Sequence, residues 1–143
     1  MTFELLVDNI FEGAVVKSEK FVLPLLGGTP AFVERKVYSD YAAHCTKTIE
    51  KGTATSRSTL GTVTTGVRAD LSAIDTATEV TVNITFSNTA LVSLRDLSAS
   101  EDCPIQLPTT TQQSGVRLVA LEPSQKKILN ETPDLRVSLT RKS

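Results

Sequence analysis

The chain has 143 residues, 22% charged and 5% aromatic, with 15 Lys and Arg against 16 Asp and Glu and no Trp. That length supports one domain with a modest core, and the even charge balance offers no electrostatic reason to bind nucleic acid. Base-stacking modules need exposed aromatics among basic residues. None is present, so nucleic acid is not an expected partner.

In chain order, the opening "MTFELLVDNIFEG" lacks a basic stretch, and Glu4, Asp8 and Glu12 interrupt its apolar positions, so it does not read as a signal peptide. No apolar run reaches the roughly 18–20 residues that a spanning helix needs. Taken as written, the chain is expected to be cytoplasmic or virion-associated, or a fragment of a longer precursor. Residues 2–9 "TFELLVDN", 13–26 "GAVVKSEKFVLPLL" and 31–41 "AFVERKVYSDY" read as strands. Between the last two, "GGTP" (27–30) reads as a hairpin turn, since Gly supplies positive φ and Pro starts the next strand.

The Ser/Thr-rich stretch up to about Ser58 reads as a mobile polar segment. From Thr59 the same small residues fit a strand, with Thr65, Val67, Ala69 and Leu71 on one face. Gly61 and Gly66 are candidate strand kinks, because glycine inside a strand marks a bend, a bulge or a close backbone approach. Ile74-Asp75-Thr76 reads as a turn. The clearest strand is "EVTVNITF" (79–86), with Val80, Val82, Ile84 and Phe86 facing one way and Glu79, Thr81, Asn83 and Thr85 the other. "VSLRDLSASED" (92–102) hints at one short helical turn, and Ala99 to Pro104 at a second turn region. "GVRLVALEP" (115–123) alternates with apolar residues on both faces, which fits a strand covered on both sides. "KKIL" (126–129), a turn at Glu131-Thr132-Pro133-Asp134 and "LRVSLT" (135–140) complete the chain. The fold class is mainly β, an antiparallel, hairpin-rich sheet in a single domain over 1–143.

No catalytic constellation emerges. A triad would have to use His44, the single histidine, yet its neighbour Cys45 points to the opposite face of an extended strand. His44 therefore reads as a surface histidine. Glu101-Asp102 reads as solvated surface, and "LLGGTP" opens no helix and so is no phosphate cradle. Two cysteines and one histidine make no metal site, so neither metal nor cofactor is expected and the chain is not read as an enzyme. Cys45 and Cys103 read first as free thiols or incidental surface residues. A disulfide between them is the alternative, and it would matter only in an oxidising compartment.

The order of segments is more informative than any one of them. "VVKSEKFVLPLLGGTPAFVERKVYSDYA" precedes a Ser/Thr-rich tract and then "STLGTVTTGVRADL". An alternating strand follows, then "VSLRDLSASEDCPIQLPTTTQQSGVRLVALEPSQKKIL". Over residues 15–129 this order resembles the core domain of the secretins, the outer-membrane channels of bacterial export systems, and within them the type IVb pilus group. The chain departs from that pattern at Pro123-Ser124-Gln125, where the family carries a glycine turn, and in a divergent tail over 130–143.

The resemblance implies a homo-oligomeric ring in an outer membrane, with each copy contributing strands to a shared multi-subunit β-barrel. Its implied partners are other copies of the chain, membrane lipid, and a passing protein, pilus or filamentous phage. It further implies a gate hairpin within 31–59 that includes Tyr38, Tyr41, His44 and Cys45. The alternative is a structural β-sandwich, a virion or appendage component with no transport role.

Overall fold

The computed structural model describes residues 1–26, 28–76, 79–97 and 103–143. These form eight strands: β1 (Thr2–Phe11), β2 (Ala14–Pro24), β3 (Ala31–Glu50), β4 (Thr53–Thr76), β5 (Val80–Asp96), β6 (Gln106–Leu121), β7 (Lys126–Glu131) and β8 (Leu135–Arg141). They make two four-stranded antiparallel sheets, ordered β2-β1-β8-β7 and β3-β4-β5-β6, and neither closes into a barrel. The expected all-β, antiparallel class holds.

Both chain ends build the first sheet. β1 pairs with β8 from Phe3↔Arg141 to Asn9↔Leu135, and β2 and β7 flank that pair. The second sheet is a meander of four strands in sequence order. Two of the connections are two-residue hairpin loops, Glu12-Gly13 and Lys51-Gly52. All four residues hold positive φ, between 49° and 80°. That backbone matches the right-handed twist of the flanking strands, and glycine at the second position adopts it without strain.

By contacts the chain divides into two compact units, Met1–Arg35 with Val67–Ser87 and Ser114–Ser143, and Lys36–Gly66 with Asn88–Gln113. The first unit holds the hydrophobic core. Phe3, Leu5 and Val7 of β1 and Leu135, Val137 and Leu139 of β8 meet Val67, Ala69 and Leu71 of β4 and the β5 row Val80, Val82, Ile84 and Phe86. All are buried. The period-2 alternation read from residues 79–86 thus points its apolar row inward. Each Val, Leu, Ile and Phe among them contributes about 1.5–3 kcal/mol of burial, which offsets the cost of ordering the strands.

Two arginines bridge the sheet edges of this unit. Arg35 of β3 grips Glu19 of β2 with both arms, Nε donating to Oε2 at 2.7 Å and Nη2 to Oε1. On the other side, Arg117 Nε of β6 donates to the Leu129 carbonyl of β7 at 2.9 Å. Leu129 has no ladder partner, because the β7–β8 register shifts between Ile128 and Asn130. A bulge therefore supplies the carbonyl that the guanidinium takes.

Burial of Glu19 opposes its charge. The hydrogen bonds from Arg35 and Lys17, with their charges, outweigh that and hold its carboxyl below the usual carboxylate range. A carboxylate with a depressed folded pKa stabilises the fold above its ordinary value and loses that contribution as pH falls through the folded value. Arg35→Ala is accordingly expected to cost about 1 kcal/mol at neutral pH, a low figure because Arg35 is 42% exposed. The gap between variant and parent should shrink as denaturant midpoints are followed into acid. A gap that stays constant down to pH 3 would show that the ion pair is not its source.

Four local expectations need correction. "GGTP" turns the chain, with Leu26↔Thr29 bridged and Gly28 at φ +83°, but β2 and β3 enter different sheets and so form no hairpin; Gly27 lies outside the described residues. The polar tract before Ser58 is not a linker, because β4 is continuous from Thr53. Ile74 to Thr76 continue that strand. The helical hint at 92–102 gives way to β5, which runs to Asp96, while 98–102, with Glu101-Asp102 and most of the expected turn, lie outside the described residues.

Candidate assembly surface

Where the first unit is filled, the second has almost nothing to fill it. Among its described residues only Ala42 and Asn88 are buried. Tyr38, Leu60, Leu91, Val92, Leu94 and Leu97 all stand exposed. The reason is compositional: β4 from Thr53 to Thr65 is mostly Ser, Thr, Ala and Gly, which form a ladder but bury little apolar area.

What holds the second unit instead is cross-strand fixing. Cys45 and Cys103 are joined by a disulfide, with Cα atoms 5.5 Å apart and a sequence separation of 58, so the free-thiol reading is corrected. Nearby, the Ala42 amide donates to Gln106 Oε1 at 3.0 Å. Cys45 and Ala42 lie on β3, one edge of the second sheet. Gln106 opens β6, the other edge, and Cys103 lies just before it. A ladder ties only neighbouring strands, whereas these two contacts tie the first strand to the last. For a closed loop of this length, the chain-entropy account gives about 4 kcal/mol.

The other expected site residues fall on the same strands. Tyr41 of β3 lies against Gly61 of β4, so closely that a Cβ on Gly61 would sit 2.7 Å from the ring. The ring takes the place of the missing side chain. Next to this pair, Thr62 Oγ1 donates to Asp40 Oδ1 at 3.2 Å. Gly66 closes the second unit's share of β4 and has φ +149°, a value that residues with a Cβ rarely adopt. Tyr38 is exposed. His44 is exposed too, with Nε2 3.3 Å from Thr46 Oγ1. Tyr38, Tyr41, His44 and Cys45 therefore share one strand of the β3–β4 hairpin. Among the described residues no group of three or more His, Cys, Asp and Glu could hold a metal ion, and no helix is long and apolar enough to cross a membrane.

The outer face of the second sheet, within the first unit, carries the remaining signal. Its central strands present Arg68 and Asp70 from β4 and Thr81, Asn83 and Thr85 from β5. Its edge strands present Phe32 from β3, and Val116 and Leu118 from β6. Arg68 caps the Phe32 ring, 5.0 Å from its centroid, and reaches Glu34 and Asp70 at 3.5 Å. β6 has one charge in its 16 residues, Arg117, and that group is spent on Leu129 and the Phe86 ring.

No family model, curated protein or solved structure matches the chain.

Edge strands in proteins that stay monomeric are guarded by charge, and Lys is the usual guard. On this sheet the guard is uneven: β3 carries exposed Glu34 and Lys36 beside Phe32, whereas β6 presents bare Val116 and Leu118 and holds no Lys, Asp or Glu. Phe32, Gln106, Val116 and Leu118 were not singled out as site residues in the sequence. The two apolar faces of 115–123 were legible there, but which strands would be edges was not.

Proposed function

We propose that the chain is a subunit of a homo-oligomeric ring resembling the secretins, a channel for passage of protein, pilus or filamentous phage through an outer membrane. The observation that carries this reading is the second sheet, whose β6 edge presents Val116 and Leu118 on its outer face with no charged side chain beside them, and whose β3 edge presents Phe32. Its four strands alternate in direction, so β3 and β6 run opposite ways. Setting β6 of one copy beside β3 of the next continues the antiparallel order, and an even strand count keeps every junction antiparallel whatever the number of copies. Closure of such a ring removes the open edges altogether. In the same contact Val116 and Leu118 of one copy come beside Phe32 of its neighbour. The disulfide agrees with an oxidising destination outside the cytoplasm.

Mass measurement and electron imaging of the oxidised chain test the reading. Closed rings with a central opening are expected, and a stable monomer at micromolar concentration would sink it.

One observation favours a second reading, an appendage or virion component without transport. The Cys45–Cys103 bond and the Ala42–Gln106 contact occupy β3 over residues 42–45, which shortens the edge open to a neighbour. Filaments or closed shells lacking an opening would select it.

A further inference from the structure

We propose that the Cys45–Cys103 disulfide is an assembly latch: the second unit presents an ordered surface to another copy only when the bond is formed. This rests on the reading above that the chain self-associates.

Every residue of the hydrophobic core belongs to the first unit, and neither cysteine does. Reduction therefore leaves the core untouched. The second unit loses its one covalent tie between the outermost strands, and what remains is two hairpins joined through the β4–β5 ladder and the single Ala42–Gln106 hydrogen bond. Hairpins without a covered apolar face are marginal in water. Leu60, Leu91, Val92 and Leu94 are then presented by strands that open locally, and association has to supply the ordering that the disulfide had already supplied.

The chemistry is a two-electron exchange. The two thiols lose two protons and two electrons to a disulfide-class oxidant, which leaves as a dithiol while the Cys45–Cys103 S–S bond forms. A dithiol runs the reaction backwards, breaking that bond, protonating both sulfurs and itself becoming a disulfide. In a reducing compartment the chain stays folded in its first unit and unassembled. Arrival in an oxidising one licenses assembly. The latch also gives the polar, glycine-containing β4 a purpose: a strand that cannot hold itself is one that a single bond can switch.

The test compares the full chain oxidised, the same chain in dithiothreitol, and a Cys45→Ser/Cys103→Ser variant. The concentration at half-assembly should rise about 10²-fold on reduction and in the variant. Amide exchange should accelerate in 36–66 and 88–97 while the first unit keeps its protection. Equal assembly of all three samples would overturn the latch, as would reduction that unfolds the first unit as well. An oxidised chain that remains monomeric defeats the self-association reading and the licensing role with it. Amide exchange that quickens in the second unit alone, in that monomer, would still identify the bond as what orders the unit; unchanged exchange would remove that role too.

Discussion

Phe86→Ala should lower the unfolding free energy by about 3–5 kcal/mol, a large share of the roughly 5–15 kcal/mol a domain possesses. Phe86 is 2% exposed at the end of the buried β5 row. Its ring fills the space over Gly115, where an added Cβ would lie 2.9 Å from the ring edge. The Arg117 guanidinium sits over the same ring, 5.6 Å from its centroid, and also holds the Leu129 carbonyl. Removing the ring leaves a cavity bounded by a glycine, which has no side chain to move in. It also takes away the arginine's support, worth about 0.5–1 kcal/mol. Denaturant titration reads the result as a lower midpoint with an unchanged slope. A loss below 1 kcal/mol would mean that the unit relaxes around the void and that Phe86 is no keystone.

That keystone was half visible in the sequence. The alternation of 79–86 placed Phe86 on the apolar face, and period-2 reading also put Val67, Ala69 and Leu71 together, because both signals are local. Gly115 and Phe86 lie 29 positions apart, and their contact depends on which strands neighbour each other. The partition of eight strands into two sheets is likewise not a local property, so "GGTP" read as a hairpin although its strands part company. Lys51-Gly52 was a legible signal that the polar composition around it obscured. A tract of Ser and Thr resembles a linker until a two-residue loop pins it against β3. The disulfide depends on the two sheet edges being brought together, and that is a property of strand order, not of the local pattern around either cysteine. Hydrophobic pattern was therefore a good guide to the core and a poor one to the proposed assembly surface, where the unusual feature is the apolar pair Val116 and Leu118 on an edge strand.

Charging one of those edges should abolish assembly while sparing the fold. Val116 and Leu118 are 62% and 65% exposed, so Val116→Lys/Leu118→Lys removes little buried area from the single chain. Its unfolding free energy should change by no more than about 1 kcal/mol. In the proposed contact both side chains become covered by the neighbouring copy's β3. Losing that burial at about 1.5 kcal/mol or more each weakens association by at least about 10²-fold, and lysine on β6 adds the guard that this edge lacks. Position matters here, and charge alone does not. Thr81→Lys/Thr85→Lys adds the same two charges on the outer face of β5, a central strand, and should shift the half-assembly concentration only a few-fold. Sedimentation of the three proteins over a concentration series separates the cases. If the β6 variant assembles like the parent, the edges of the second sheet are not where copies meet. If the β5 variant dissociates as readily as the β6 variant, the whole outer face is being covered, and packing of faces replaces pairing of edges as the way copies associate.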